Sequence, residues 1–342
     1  MCHGAGDYHL VKPAAGFAVL AVCCLTPPNS LAREQGEAPL RQVQSIGLPG
    51  VEGRIDHMAI DLKGERLFVA ALGNGSVEVI DLRSGKQTRS VHGFNEPQGV
   101  AFVPRPAALF VSNGGDGTCD VLDGRTLQRA RTLHLGADAD NVRYDATTHR
   151  IYVGYGEGAI GVFDSATGDS LGVVPLPGHP ESFQLEASGS RIFVNVPDAG
   201  EVAVIDRTKG TVVAHWKIEG IADNFPMELD EAGHRLFVGC RRPAAVLILD
   251  DRSGRRLHTV PIEGDSDDLF YDAAGRQLFA SCGSGFIQVL KEGPPGRFAV
   301  AKVPTADGAR TSLYVPALHC LYVAVPHRGP QRAEIRVFEV AR

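Results

Sequence analysis

The chain has 342 residues, with 34 Lys and Arg against 40 Asp and Glu and a formal net charge of −6. That mildly acidic balance leaves no electrostatic footprint for nucleic acid. Its 44% hydrophobic and 22% charged residues place it among ordinary soluble globular proteins.

Near the N-terminus, Lys12 precedes an apolar run from Ala14 to Leu25. At about 12 residues this run is too short to span a bilayer and suits the hydrophobic segment of a signal peptide. Ser30-Leu31-Ala32 offers small residues for cleavage before Arg33. Residues 1–32 are therefore read as a signal peptide and residues 33–39 as a polar leader. The mature chain is expected to carry no membrane span and to work in the periplasm or beyond it. Cys23 is a poor lipidation site because Val22 precedes it.

From residue 40 onward the sequence is one repeat. The unit from Gly53 to Gly85 reads as three strands, Met58–Ile60, Arg66–Ala70 and Val77–Asp81, with turns at Lys63-Gly64, Gly73-Asn74-Gly75 and Ser84-Gly85 and a fourth strand before Gly93. First strands end at Asp61, Val103, Asp145, Glu186, Asp230, Asp272 and Pro316, at intervals of 42, 42, 41, 44, 42 and 44 residues. Second strands recur as Leu67-Phe68-Val69, Leu109-Phe110-Val111, Ile151-Tyr152-Val153, Ile192-Phe193-Val194, Leu236-Phe237-Val238, Leu278-Phe279-Ala280 and Leu321-Tyr322-Val323. Four short strands at this period predict an all-β fold, a seven-bladed β-propeller of four-stranded blades in a single domain. The seventh unit stops after its third strand, and residues 41–48 resemble the missing fourth. The N-terminal strand is thus expected to complete blade seven and close the ring, which leaves no open edge.

Four cysteines remain in the mature chain, Cys119, Cys240, Cys282 and Cys320. Cys240 and Cys282 hold the same place in adjacent units, farther apart than the roughly 7 Å between Cα atoms that a disulfide allows, so free, mostly buried thiols are expected. No Cys/His spacing points to structural zinc.

Leu-Phe-Val-Ala, a Gly-rich turn, Val-x-Val-Ile-Asp and a closing Gly resemble the YVTN-repeat (YncE-like) family of bacterial β-propellers across all seven units. Ile151-Tyr152-Val153-Gly154 and Leu321-Tyr322-Val323-Ala324 stand nearest to the name motif. The resemblance implies export and the binding of a ligand or partner, with no catalytic residues to transfer. A WD40 repeat is disfavoured because no unit ends in Trp-Asp. Eight-bladed quinoprotein dehydrogenases are disfavoured by the count of seven and the single Trp216.

Propeller first strands line the central channel, so the segments that enter them gather at one mouth. One position there holds Asp56, Gln98, Asp140, Glu181, Phe225, Asp267 and Thr311; the next holds His57, Gly99, Asn141, Ser182, Pro226, Asp268 and Ser312. The segment start adds Arg54, Glu96, Asp138, His179, Asp223 and Asp265, with Arg310 close by. Loops after second strands add Arg241 and Arg242, and His327, Arg328 and Arg332. His57, Asn141, Glu181 and Asp268 are the residue types that hold a divalent cation: Ca²⁺, Mg²⁺, Mn²⁺ or Zn²⁺. Arg54, Asp56, Asp140, His179, Asp267, Arg241, Arg242 and Arg310 are candidates for ligand binding, because guanidinium forks grip carboxylate or phosphate. Turn hydrogen bonds and a self-compensating ion-pair ring would use the same residue types.

The leading expectation is an exported, monomeric binding protein that recognises a small molecule, anions included, or a periplasmic protein, with a divalent metal as a candidate cofactor. A metal-dependent lactonase or esterase using the same funnel, with His57 as base, is the first alternative. A scaffold for protein interaction is the second. No strand-turn-helix nucleophile elbow is read in the sequence, and His-Glu-x-x-His is absent from it.

Overall fold

The second strand of every unit is apolar at successive positions, so it has to be covered on both faces. A lone four-stranded sheet cannot do that, and stacked neighbours can. The computed structural model describes Met1, residues 38–294 and residues 296–341. Contacts divide the chain into Met1–Gly36 and Glu37–Arg342, and all the blades lie in the second unit. The proposed signal peptide and most of the polar leader fall outside the described residues. Among those described, no helix is long and apolar enough to cross a membrane.

Seven four-stranded antiparallel sheets form, each with its strands in chain order except the last. Blades one to six span residues 58–92, 97–134, 139–175, 183–217, 222–261 and 266–304. In blade seven the strands Ser312–Val315, Cys320–Val325 and Glu334–Val340 are joined by Leu40–Gly47, which pairs antiparallel with Glu334–Val340. This closing strand begins and ends one residue before the 41–48 read from sequence. It sets Leu40, Ile46 and the following Leu48 into the core at 2–3% exposure.

The core lies between blades. Phe68, Phe110, Phe193, Phe237 and Phe279 occupy equivalent second-strand positions and are fully buried. Each such side chain contributes about 1.5–3 kcal/mol by leaving water. Cys119, Cys240 and Cys282 are buried and Cys320 half-buried, all as free thiols.

Many acidic residues away from the channel mouth are turn elements. Asp61 accepts from Gly64 N–H at 2.9 Å and from Arg66 Nη2 at 2.7 Å. Asp230 does the same with Gly233 and Arg235, both at 3.0 Å. Asp81, Asp123, Asp164, Asp206 and Asp250 each accept a backbone N–H two or three residues ahead, which fixes the hairpins between third and fourth strands.

The first strands of blades two and four end at Pro104 and Leu185, one residue from the Val103 and Glu186 read from sequence, and two further features differ. Val315 pairs with Cys320 as Asp61 does with Arg66 and Asp272 with Gln277. The first strand of blade seven therefore ends at Val315, and Pro316 opens the turn Pro316–Leu318. The proline is conspicuous in the sequence, while the strand simply continues with an apolar residue where five of the other six blades have an acid. Arg241 and Arg242, expected in a loop, instead close the strand Arg235–Arg242, because the hairpin turns tightly enough at Pro243 to pair Arg241 with Ala244.

Candidate ligand and cation site in the central channel

Ladder register orders the channel into layers. Backbone bonds from Ala70 N–H to His57 O, Asn195 N–H to Ser182 O and Ala324 N–H to Thr311 O put those three acceptors in equivalent places. Thr311, not Ser312, is thus the blade-seven counterpart of His57, Asn141 and Asp268. One residue earlier, Arg310 and not Thr311 joins Asp56, Gln98, Asp140, Glu181, Phe225 and Asp267. The one-residue error at Pro316 had hidden an arginine in this ring.

The chain enters the first strands through register shifts at Pro97/Val100, Ala139/Val142, Asn224/Met227 and Ser266/Asp268. Such bulges bend a strand and re-aim its side chains, and Asp140 and Asp267 sit within two of them. At the segment start, Glu96, Asp138, Asp223 and Asp265 have φ of 55°, 40°, 60° and 61°. Asp tolerates this left-handed conformation better than most residues, so turn geometry is sufficient reason for the three aspartates.

The arginine side of the mouth is largely self-neutralised. Asp267 receives Arg241 Nη2 at 2.5 Å, Arg310 Nε at 3.0 Å and, more distantly, Arg54 Nη2 at 3.7 Å. Arg310 also reaches Asp265 at 2.8 Å, and Arg241 lies 3.9 Å over the Phe225 ring. Burial lowers the Arg310 pKa, but Asp267 and Asp265 outweigh it and leave the pKa raised. Arg242 lies apart from this network, exposed and paired with Asp223.

Asp56 is only 1% exposed, and both carboxylate oxygens lack a hydrogen bond. Arg54 Nη2 comes within 2.8 Å of one of them, close enough for an ion pair but without hydrogen-bond alignment. Burial lifts the Asp56 pKa to about 6, against the pull of His57 and Arg54. His57 stands between two acids, with Nδ1 3.5 Å from Asp268 and Nε2 3.7 Å from Asp56. Burial alone would lower its pKa; the two carboxylates reverse that and carry it to about 10. The imidazole is accordingly cationic at neutral pH. Asp268 also accepts the Ser312 N–H at 2.7 Å.

Across the mouth, Asp140 of blade three and His179 and Glu181 leading into blade four bring one potential ligand atom each within 4.8 Å of one another. Burial raises the pKa of Asp140. Glu181 rises to about 9, first through burial and then through the negative charges of Asp140 and Asp267. Among the described residues neither carboxylate has an arginine or lysine within 4.0 Å. His179 Nδ1 lies 2.6 Å from Gly156 O. A carbonyl only accepts, so Nδ1 carries the proton and Nε2 is the nitrogen free to bind a cation. Asn141 Oδ1, next in the chain, is buried without a partner. Of the four residues expected to ligate a metal, only Glu181 falls in this trio. His57 and Asp268 form a separate pair, and Asp140 and His179 come from the ligand-binding set.

Below this layer lies a cavity of about 320 Å³ lined by His57, Met58, Val100, Ala101, Val142, Arg143, Tyr144, Gln184, Glu228, Asp268, Phe270, Ser312 and Leu313. Arg143, Gln184 and Glu228 were not singled out in the sequence. They lie in strand positions equivalent to Ala59 and Ala101, and polar residues at a channel-facing position were the available signal. Gln184 Nε2 donates to Glu228 Oε2 at 2.9 Å, and burial pushes the Glu228 pKa to about 8.

Fold and site together define a seven-bladed β-propeller with a polar central channel. No family model matches the chain, and no curated protein matches it. Among solved structures it is similar to a chain of Kuenenia stuttgartiensis hydrazine synthase, at a TM-score of 0.72 and 19% identity over 80% of this chain and 94% of that one. It is also similar to a chain of a mitotic checkpoint complex crystal structure, at a TM-score of 0.75 and 14% identity over 95% and 99%. At such identities the likeness shows the fold alone.

Proposed function

We propose that this is a binding protein whose channel mouth holds a divalent cation on Asp140, His179 and Glu181 and presents it to a small ligand. The observation that carries the reading is the trio itself: two carboxylates with no arginine or lysine within 4.0 Å among the described residues, together with an imidazole whose proton is committed to Gly156. Burial and the charges of Asp140 and Asp267 favour the protonated form of Glu181, and a bound cation would displace that proton and offset the two carboxylates. Two carboxylates and one imidazole suit Zn²⁺ or Mn²⁺ better than Ca²⁺, which takes six to eight oxygens. The Gly156 carbonyl then has the role usual for a partner behind a metal-binding histidine, fixing tautomer and ring orientation.

The repeat pattern resembling the YVTN-repeat family and the apolar run before Ala32 support export to the periplasm or beyond. A propeller also suits a role in protein interaction. The hydrolase reading is weaker here because it needs a neutral base, and His57 is held charged between Asp56 and Asp268. Calorimetric titration of chelator-treated protein with Zn²⁺ and Mn²⁺ tests the proposal. One saturable site is expected, weakened at least tenfold in Glu181→Gln; identical isotherms for the variant and the parent would refute it.

A further inference from the structure

Of the arginines at or inside the mouth, Arg54, Arg241 and Arg310 already face carboxylates. Arg143 has no such close partner: among the described residues no Asp or Glu oxygen lies within 4.0 Å of its guanidinium, and Asp268, Glu228 and Asp140 act on its charge only from farther off. It gives Nη1–H to Val142 O at 3.0 Å and Nη2–H to Ser182 Oγ at a long 3.4 Å, and its guanidinium stacks 5.4 Å from the centre of the Phe183 ring. Two of its five N–H donors are used, so three remain. A partly buried guanidinium with spare donors beside a cavity is an anion receptor waiting for a planar, two-point partner.

The rest of the cavity narrows the class of anion. Met58, Phe270 and Leu313 give it an apolar wall, and about 320 Å³ is near the lower bound for small-molecule sites. His57 and Asp268 cancel each other's charge. We infer that this cavity binds a small organic monocarboxylate, its carboxylate on the fork of Arg143 and its apolar body against Phe270 and Leu313. Glu228, raised to about 8 by burial, is mainly neutral at pH 7 and does not repel the guest. A phosphate dianion would bring more charge than one guanidinium offsets and would leave the apolar wall unused. This inference rests on reading the channel as a ligand site, and it names the ligand class.

The test uses the mature chain, both chelator-treated and loaded with Mn²⁺, with butyrate, butyramide and inorganic phosphate as probes in calorimetry and ligand-observed NMR. Butyrate should bind at least tenfold more tightly than either competitor. Arg143→Gln should lose at least tenfold in butyrate affinity, whereas Arg83→Ala, which alters only an exposed pair with Glu65, should keep it. If Arg143→Gln fails to melt cooperatively, Leu313→Trp fills the cavity while leaving the arginine in place, and it should block butyrate equally. Equal binding of butyrate and butyramide, a preference for phosphate, or undiminished butyrate binding in Leu313→Trp or folded Arg143→Gln would overturn the inference. Butyrate selectivity in protein that takes up no metal would sustain it while removing the cation reading. Mn²⁺ uptake without butyrate selectivity would do the reverse.

Discussion

Replacing His57 with glutamine removes the one cation that stands between Asp56 and Asp268. The rise of the His57 pKa from 6.5 to about 10 corresponds, at about 1.4 kcal/mol per tenfold change, to a ceiling of about 5 kcal/mol. Because the folded-state value is the higher one, this stabilisation is complete below pH 6.5 and is lost as pH climbs through 10. Other groups of the channel titrate in the same window, Asp56 near 6, Glu228 near 8 and Glu181 near 9, so the informative quantity is the difference between two proteins. Urea unfolding of the parent and His57→Gln at intervals from pH 6 to pH 10 should show the largest stability gap at pH 6 and its narrowing by a few kcal/mol toward pH 10. A gap that is constant or widens with pH would mean that His57 is not held charged by its neighbours.

Asp267→Asn strips the carboxylate shared by Arg241 and Arg310 and should destabilise the fold by about 3–5 kcal/mol, the range for breaking a buried pair and leaving charge uncompensated; an unchanged melting temperature would refute the network's importance. Burial pushes the thiols of Cys240 and Cys282 up to about 12 and that of Cys119 higher still. Iodoacetamide at pH 8 should therefore leave all three unmodified until the protein is denatured, as peptide mapping would show, and rapid alkylation of the native protein would contradict their burial. Deleting residues 38–48 exposes the edge of Glu334–Val340 and removes Leu40, Ile46 and Leu48 from the core. At about 1.5–3 kcal/mol for each side chain, the truncated chain should unfold or self-associate on size exclusion, and a stable monomer with parental melting would argue against the closure.

The fold was legible because its cause is repeated seven times: apolar second strands such as Leu67-Phe68-Val69 have no way to be covered except by neighbouring blades. The residue types at the mouth were legible too, but their partition was not. That Asp267 absorbs Arg241 and Arg310 depends on blades five, six and seven meeting at one point, which no local pattern reports. That Asp138 and Asp265 adopt left-handed turns depends on φ values that sequence spacing does not encode. Arg310 was displaced from its ring by a single residue, because Pro316 looks like the end of a strand that Val315 in fact ends. Arg143 and Glu228 passed as ordinary strand residues, since they occur within Val142-Arg143-Tyr144 and Met227-Glu228-Leu229 and only the channel gives them a shared address.

The proposed cation site at the mouth is tested most directly by anomalous scattering from crystals of the protein soaked in Mn²⁺. A single strong peak about 2.0–2.2 Å from carboxylate oxygens of Asp140 and Glu181 and from His179 Nε2, absent from Asp140→Asn crystals, is the predicted result. A map with no peak at that trio, or with the metal seated elsewhere in the channel, would contradict it.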